Sequence, residues 1–200
     1  ISTAKNEMLG VDEYTKAAKG KFQEFVAKAY TLYQRELAQN FSVDFDDLLL
    51  KVIELFTLHP EVLERYQQTL SHVLIDEYQD TNKAQYVLSK LLSAPQNNLY
   101  VVGDFSQSIY AWRGADYRNM LNLTTDFPTI QEYRLEQNYR SSQTILDAAT
   151  NVISQNTSHP ILQLWTENTD QEPIVIYEAD SGEDEARKVV EYIKTKNLSH

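Results

Sequence analysis

Residues 73–80 read VLIDEYQD, a short apolar run that ends in two adjacent carboxylates. An apolar run of this length, followed by polar residues, is typical of a buried strand that leads into a loop. Residues 99–102, LYVV, form a second such run, and a helical pattern from Thr81 to Leu92 separates the two. Strands that alternate with a helix pair in parallel, and their carboxyl ends meet at one edge of the sheet. This region therefore predicts an α/β fold with a parallel sheet.

The alternation of strands and helices continues to the end of the chain. We expect further strands at 130–135 and 174–177. Three helices are expected to begin at polar caps: one over 116–124 capped by Asp116, one capped by Ser141 or Ser142, and one capped by Ser181. Apolar spacing predicts which side chains face inward on the last two: Ile145, Ala148, Ala149, Val152 and Ile153, then Ala186, Val189, Val190 and Ile193.

The first 70 residues have a helical pattern throughout. Asp44 is expected to cap a helix from Phe45 to Leu58, with Asp47 assisting, and Pro60 is expected to begin a short third helix. An earlier helix is predicted to bury one face at 3–4 residue spacing: Phe22, Val26, Ala29, Tyr33 and Leu37.

Composition excludes several classes of protein. The 200 residues are 42% hydrophobic, which is enough for a core, and they contain no cysteine for a disulfide or a thiolate site. Only five glycines are present, and nowhere do they form G-x-x-x-x-G-K-[ST] or G-x-G-x-x-G. A self-sufficient nucleotide enzyme of either type is therefore excluded, and the four scattered histidines predict no metal cluster.

The net charge of −11 argues against broad electrostatic binding to a phosphate backbone. Any contact with nucleic acid is expected to be local, through aromatic side chains and a few arginines. No apolar run is long enough for a membrane span, so we expect no membrane partner.

Three segments, each after a predicted strand, carry side chains that suit phosphate chemistry. Asp76 and Glu77 could hold Mg²⁺ and activate a water molecule, or they could form an ordinary acidic loop. Gln107 could bind a terminal phosphate oxygen, and Arg140 could reach a γ-phosphate or lie on the surface beside a helix cap.

The second of these segments also contains Tyr110, Trp112 and Arg113 within four residues. Aromatic rings next to a cation can stack on unpaired bases, but the same rings could instead belong to the core.

Several longer motifs occur in an order that resembles the UvrD/PcrA/Rep-type superfamily 1 DNA helicases. They are ISTAKN at 1–6, FDDLL at 45–49, LIDEYQDTN at 74–82, VVGDFSQSIYAWRGAD at 101–116, LEQNYRSSQTIL at 135–146 and LWTEN at 164–168. The resemblance covers nearly the whole chain. The family's phosphate loop, its adenine motif and its later motifs are absent, and Phe105-Ser106 stands where the family usually has an acidic residue.

The resemblance implies a role for each candidate residue. Asp76 would bind Mg²⁺, Glu77 would activate water and Gln107 would sense the γ-phosphate of ATP. Tyr110, Trp112 and Arg113 would contact single-stranded DNA. Tyr139 would stack on adenine, and Arg140 would act as an arginine finger.

The resemblance also implies an architecture of parts of two RecA-like parallel-sheet domains preceded by an all-helical subdomain segment. Residues 1–69 would be that segment, 70–136 the latter part of the first RecA-like domain, and 137–200 the start of the second. The chain is expected to be an internal fragment of a cytoplasmic 3′–5′ helicase. It would need the remaining parts of that protein to turn over ATP.

Two other interpretations stay open on sequence alone. A truncated product could be a non-catalytic module that binds single-stranded DNA or a partner. Alternatively, the motifs could be remnants on an α/β domain with exposed edges, which would favour self-association.

Overall fold

The computed structural model describes residues 1–169 and 172–196, which form two compact units divided between Tyr133 and Arg134. The end of the expected third domain, with His200, lies outside the described residues.

The first unit begins with five α-helices: α1 (Ser2–Asn6), α2 (Val11–Ala17), α3 (Lys21–Gln39), α4 (Phe45–Leu58) and α5 (Pro60–Thr69). The helix from Phe45 to Leu58 is confirmed at both ends. The Asp44 side chain accepts a hydrogen bond from the Asp47 backbone N–H at 2.9 Å, as a cap requires. Pro60 occupies the first turn of α5, where its missing N–H costs nothing.

The buried face of α3 differs from the sequence prediction. Its buried residues are Ala27 and Tyr30, whereas Phe22 is 78% exposed and Tyr33 is also exposed. The Tyr30 hydroxyl donates to the Leu9 carbonyl, and the Tyr33 hydroxyl donates to Asp44. These polar tips, which apolar spacing ignores, help to set how α3 is turned toward its neighbours.

A parallel pair of strands, β1 (Val73–Ile75) and β2 (Leu99–Val101), confirms the central prediction. Val73 pairs with Leu99 and Ile75 with Val101. The intervening α6 (Lys83–Ser93) begins with a capping box in which Asn82 and Gln85 bond to each other's backbone N–H groups. The α/β class is confirmed, while the RecA-like identity of the domains stays a prediction.

After β2 come short 3₁₀ turns at Phe105–Gln107 and Ala111–Arg113, then α7 (Arg118–Asp126). The helix begins two residues later than predicted, although Asp116 still accepts the Arg118 backbone N–H at 3.0 Å. The core of this region consists of Tyr78, Tyr86 and Leu123, with partly buried apolar side chains packed around them.

The second unit contains α8 (Gln143–Ile153) and α9 (Gly182–Thr195), and a single parallel bridge joins Gln137 to Trp165. Ser142 and Ser181 occupy the predicted N-cap positions, and only the Ser181 side chain accepts the expected cap hydrogen bond, from Asp184 N–H.

The predicted strands at 130–135 and 174–177 are wrong. Residues 127–130 form a turn closed by the hydrogen bond from Ile130 N–H to the Phe127 carbonyl, and the side chains of 174–177 are exposed. An apolar run forms a strand only where a neighbouring strand supplies hydrogen-bond partners, and within the described residues neither run has such a neighbour.

The inward faces predicted for α8 and α9 are also wrong. In α8 the buried side chain is Leu146. Of the five residues predicted to face inward, three are exposed and two are only partly buried: Ile145, Ala149 and Val152, then Ala148 and Ile153. In α9 the four apolar residues expected inside are all exposed: Ala186, Val189, Val190 and Ile193. A helical period identifies an apolar stripe, but it does not supply the surface that would cover the stripe.

Candidate nucleotide and nucleic-acid sites

Asp76 and Glu77 leave the carboxyl end of β1 as an exposed pair. Glu77 has left-handed backbone angles (φ 50°, ψ 43°), which non-glycine residues rarely adopt. Its backbone N–H donates to Asp76 Oδ1 at 2.9 Å, and this bond stabilises the turn. The two carboxylates therefore project from a tightly folded loop, at the sheet edge where ligands of parallel sheets commonly bind.

Gln79 connects this acidic loop to the segment that follows β2. Its side chain is 1% exposed. Its Nε2 donates to Glu77 Oε2 at 2.7 Å, and its Oε1 accepts the Asp104 backbone N–H at 3.0 Å. Sequence reasoning missed Gln79; the available signal was a neutral amide two residues after the carboxylate pair.

Gln107 joins the same network from its other end. Its Nε2 donates to Asp104 Oδ2 at 2.9 Å, while Asp104 Oδ1 accepts the Ser106 N–H and closes the 3₁₀ turn. The structure thus brings Glu77 and Gln107, two of the predicted site residues, into one chain of hydrogen bonds through Gln79 and Asp104.

Asp80 lies on the turn between Glu77 and α6. Burial, and then the negative charge of Glu77, raise the pKa of its carboxyl above the ordinary value. Its Oδ1 is buried and has no hydrogen-bond partner among the described residues. The acidic loop therefore places negative charge close together, which favours the approach of a cation or a hydrogen-bond donor.

Tyr110, Trp112 and Arg113 form an exposed cluster on the turn at residues 111–113. Trp112 is 73% exposed and Tyr110 is 40% exposed, so neither ring belongs to the core. The Arg113 guanidinium carbon lies 4.5 Å from the Trp112 ring centroid and 5.5 Å from that of Tyr110. Rings presented in this way, next to a cation, can stack on unpaired bases.

Asn6 and Asn82 hold this turn against the end of α1. Asn6 Nδ2 donates to the Arg113 carbonyl at 3.3 Å, and Asn82 Nδ2 donates to Asn6 Oδ1 at 2.8 Å. Gly114 follows with φ 86°, and a Cβ at this glycine would lie 3.0 Å from the Cβ of Asn6. Close approach and left-handed backbone both require glycine there.

Tyr139 and Arg140 are exposed in the second unit, in the loop before α8. Asn138 Oδ1 accepts the N–H groups of both Arg140 and Ser141, at 2.9 and 2.8 Å. The Tyr139 hydroxyl donates to Gln137 Oε1 at 2.8 Å. The backbone of the loop is therefore fixed, while the aromatic ring and the guanidinium remain accessible.

A magnesium ion suits the carboxylate oxygens of this loop, although the protein alone would supply few ligands. Among the described residues, no group of three acidic or histidine side chains could enclose a metal. Asp76 Oδ2 makes no hydrogen bond within the described chain, so it is available as a ligand. Mg²⁺ typically uses one or two carboxylates and completes its shell with water and phosphate oxygens, so the residues present fit that mode.

In the described part of the chain, no helix is long and apolar enough to cross a bilayer.

Two family models match the sequence. The UvrD/REP helicase N-terminal domain matches residues 1–128, and the UvrD-like helicase C-terminal domain matches residues 133–199. The structure divides between Tyr133 and Arg134, one residue after the second match begins.

Curated relatives match over almost the same range. The chain is 49% identical over 204 residues to an ATP-dependent DNA helicase PcrA of Leuconostoc citreum, covering 100% of the chain and 27% of that protein. It is 49% identical over 193 residues to the ATP-dependent DNA helicase PcrA of Staphylococcus aureus, covering 96% and 26%. The Staphylococcus epidermidis PcrA is 47% identical over the same length.

The chain thus spans about a quarter of the length of these relatives. The first family model alone covers more than half of the chain, and the second covers most of the remainder. This chain belongs to the UvrD/Rep helicase family.

Proposed function

We propose that this chain supplies the water-activating, γ-phosphate-sensing and DNA-binding groups of an ATP-driven helicase that moves 3′ to 5′ on single-stranded DNA. The observation that carries the proposal is the hydrogen-bonded chain from Glu77 through Gln79 and Asp104 to Gln107. It links the carboxylate suited to activating water with the amide suited to sensing phosphate. The phosphate loop, the remaining parts of both RecA-like domains and the rest of the helicase would come from segments outside these 200 residues.

ATP and Mg²⁺ are the cofactors in this proposal, both bound only by the complete protein. Asp76 would contribute a carboxylate oxygen to the ion, which when bound neutralises charge on the phosphates. Glu77 would accept a hydrogen bond from the attacking water and orient it. Gln107 would donate its amide hydrogens to an oxygen of the transferred phosphate, since a neutral amide binds an anion without adding charge of its own.

The second unit would contribute Tyr139 and Arg140. An exposed tyrosine ring offers a face for adenine to stack on. A guanidinium near the transferred phosphate stabilises the charge that develops there, and arginines in this role are worth about 10³–10⁵ in turnover. The hydrogen bonds to Asn138 fix the loop backbone, and this limits the positions from which the Arg140 guanidinium can reach the phosphate.

Tyr110, Trp112 and Arg113 would bind single-stranded DNA. Their segment is hydrogen-bonded to residues that follow the carboxylate pair at two points: the Asp116 backbone N–H donates to the Thr81 carbonyl, and the Ser108 hydroxyl donates to the Gln79 carbonyl. Contacts of this kind supply a physical route by which movement at the nucleotide could shift the DNA-binding turn. Action on DNA in repair or replication, in the cytoplasm, accords with the family.

Steady-state ATP hydrolysis by the full-length protein, with single-stranded DNA present, tests the catalytic assignment. Arg140→Ala should reduce turnover by at least about 10³-fold, because it removes the cation acting on the transferred phosphate. Glu77→Gln should reduce it by about 10²–10⁴-fold, because it removes the carboxylate that activates the attacking water. Glu24→Gln and Arg65→Ala are matched controls, since both side chains are exposed on helices of the first unit. The 200-residue chain alone should show no turnover. Near-normal hydrolysis by either test variant would overturn the assigned role.

Fluorescence titration of the chain with oligo-dT tests the DNA-binding assignment. Trp112→Ala should weaken binding about 5- to 150-fold, the equivalent of losing one stacked base. Tyr100→Ala is the control, since Tyr100 is also exposed but lies on β2. Equal loss in both variants would argue against a specific role for Trp112.

A further inference from the structure

We propose that Gln79 is a positioning residue. Its amide fixes the position of the Glu77 carboxylate relative to the Asp104–Gln107 turn, so that the group that activates water and the group that senses phosphate act together. The inference rests on the proposed function and adds a residue to it. Gln79 lies beneath the loop, 1% exposed, and is inferred to act through Glu77 without touching the nucleotide.

The orientation of the Gln79 amide follows from its partners. The Asp104 backbone N–H can only donate, so the Gln79 atom 3.0 Å away must be the carbonyl oxygen. The amide nitrogen must then face Glu77, and it donates to Oε2 at 2.7 Å. The reverse orientation would oppose two donors on one side and two acceptors on the other. The Gln79 amide can therefore connect Glu77 to Asp104 in only one orientation.

The space around the bridge is closed. A Cβ at Gly103 would lie 2.6 Å from Gln79 Oε1 and 2.9 Å from the Met120 sulfur, so any larger residue there would displace the Gln79 amide or the Met120 side chain. The Tyr78 N–H bonds to the Val102 carbonyl at 2.9 Å, which fixes the main chain on one side of Gln79. Any shift of the Asp104 turn must therefore move the amide, and the amide must move or release the carboxylate.

This geometry gives Glu77 a restraint that its own backbone lacks. A glutamate side chain has three rotatable bonds and loses considerable entropy when it is fixed. One strong hydrogen bond from a buried donor reduces the number of orientations of its carboxylate. The other carboxylate oxygen of Glu77, Oε1, makes no hydrogen bond within the described chain, so it is the oxygen available to a water molecule.

The test measures kcat and KM for ATP in the full-length protein with Gln79→Leu and Gln79→Glu. Leucine fills the space but makes neither hydrogen bond. Glutamate is isosteric and keeps an oxygen for Asp104 N–H, but it places a second negative charge against Glu77. We expect kcat to fall about tenfold with leucine and further with glutamate, while KM changes less than twofold; tenfold corresponds to ~1.4 kcal/mol in the barrier.

Gln67→Leu is the matched control, because Gln67 Nε2 also donates within the first unit, to the Leu91 carbonyl at 2.8 Å. Rates are expressed per folded molecule, with the folded fraction taken from circular dichroism. A kcat equal to wild type in both Gln79 variants, or a loss carried mainly by KM, would overturn the proposal.

The experiments distinguish failure of the positioning role of Gln79 from failure of the proposed function. A wild-type protein without ATP hydrolysis, or a fully active Glu77→Gln, would overturn the proposed function itself. An inactive Glu77→Gln beside a normal Gln79→Leu and Gln79→Glu would leave the function standing and remove only the positioning role.

Discussion

The two units of the chain bury their candidate residues to very different extents. In the first, Gln79 and Tyr78 are almost completely enclosed, and hydrogen bonds from three separate segments meet around them. In the second, Arg140 and Tyr139 lie in an exposed loop, and the Tyr139 hydroxyl and the Arg140 N–H bond to side chains only two positions away, Gln137 and Asn138. Residues of the first unit therefore surround the acidic loop, whereas Arg140 of the second unit lies in an exposed turn.

The difference follows from where apolar surface is covered. Next to the acidic loop, the first unit packs partly buried apolar side chains of β1, β2, α6 and α7 against its cluster of Tyr78, Tyr86 and Leu123. Elsewhere in the same unit large apolar side chains such as Phe41 and Phe45 are exposed. The second leaves 174–177 and the apolar side chains of α9 exposed, with Leu146 as its buried apolar side chain among the described residues. Rigid placement of a side chain requires packed neighbours, so substitutions should affect the two units unequally.

The largest effect is expected from Tyr78→Ala. The Tyr78 side chain is fully buried, and its hydroxyl bonds to Ser89 at 2.9 Å. Removal of a buried aromatic ring costs ~3–5 kcal/mol in the free energy of unfolding. Hydrogen–deuterium exchange of the first unit, read peptide by peptide, measures the loss.

Tyr139→Ala is the comparison for that experiment, since its ring is 83% exposed. It should change the free energy of unfolding of the second unit by less than ~0.5 kcal/mol. Equal losses from the two substitutions would contradict the contrast between the units.

A smaller but still large effect is expected from Lys5→Met. The Lys5 ammonium is fully buried, 2.7 Å from Asp44 Oδ2 and 2.8 Å from Asp47 Oδ1. Burial lowers its pKa, but hydrogen bonds to both carboxylates outweigh burial and raise the pKa above the ordinary value. Loss of the cation leaves the nearly buried Asp47 uncompensated, which costs ~3 kcal/mol.

Chemical denaturation of the Lys5 series gives the measurement. Lys5→Met combined with Asp47→Asn should recover part of the loss, because it removes the unpaired charge. Lys51→Met, which breaks the exposed pair with Glu54, should cost less than ~0.5 kcal/mol. A Lys5→Met loss no larger than this control would show that the buried pair adds no stability.

The sequence predicted the first unit better than the second, for physical reasons. The helix from Phe45 to Leu58 and the strand from Val73 to Ile75 are bounded by strong local signals, a carboxylate cap and a proline for one, paired carboxylates for the other. Such signals act within a few residues, so they can be recognised without the fold. The runs at 130–135 and 174–177 have equal apolar character but no adjoining strand within the described residues, and a sequence pattern cannot supply that neighbour.

The candidate site shows the same division. The positions of Asp76, Glu77 and Gln107 at strand ends could be predicted from the alternation of elements, although their catalytic roles remain predictions. The bridge through Gln79 could not, because it depends on a backbone N–H contributed 25 residues away by Asp104. Periodicity also failed for α3, where hydroxyl groups bond to specific acceptors that spacing does not encode.

Helix caps should also separate the two units, because loss of an N-cap hydrogen bond costs about 1 kcal/mol in the free energy of unfolding. Asn82 accepts the Gln85 N–H at 2.9 Å at the start of α6, whereas the Ser142 side chain makes no cap hydrogen bond at the start of α8. Asn82→Ala should therefore lower the free energy of unfolding of the first unit by ~1 kcal/mol. Ser142→Ala should change that of the second by less than ~0.5 kcal/mol. Urea denaturation of both variants checks the order, and a larger loss at Ser142 would reverse it.

The smallest effect concerns acid pH. Hydrogen bonds from Lys90, at 2.6 Å, and from the Tyr86 hydroxyl hold the pKa of Asp126 below its ordinary value. Because the folded-state pKa is the lower one, this contribution is complete above about pH 5 and is lost as the pH falls through about 4 to 3. Solvent screening limits this contribution to ~0.5 kcal/mol.

Urea denaturation of the first unit between about pH 5 and 3 tests this contribution. Asp126→Asn should flatten the decline in stability as the pH falls. Asp12→Asn, on the exposed side of α2, is the control and should leave the decline unchanged. If Asp126→Asn steepened the decline, the carboxylate would be destabilising the folded state, and its partners would not act as the geometry indicates.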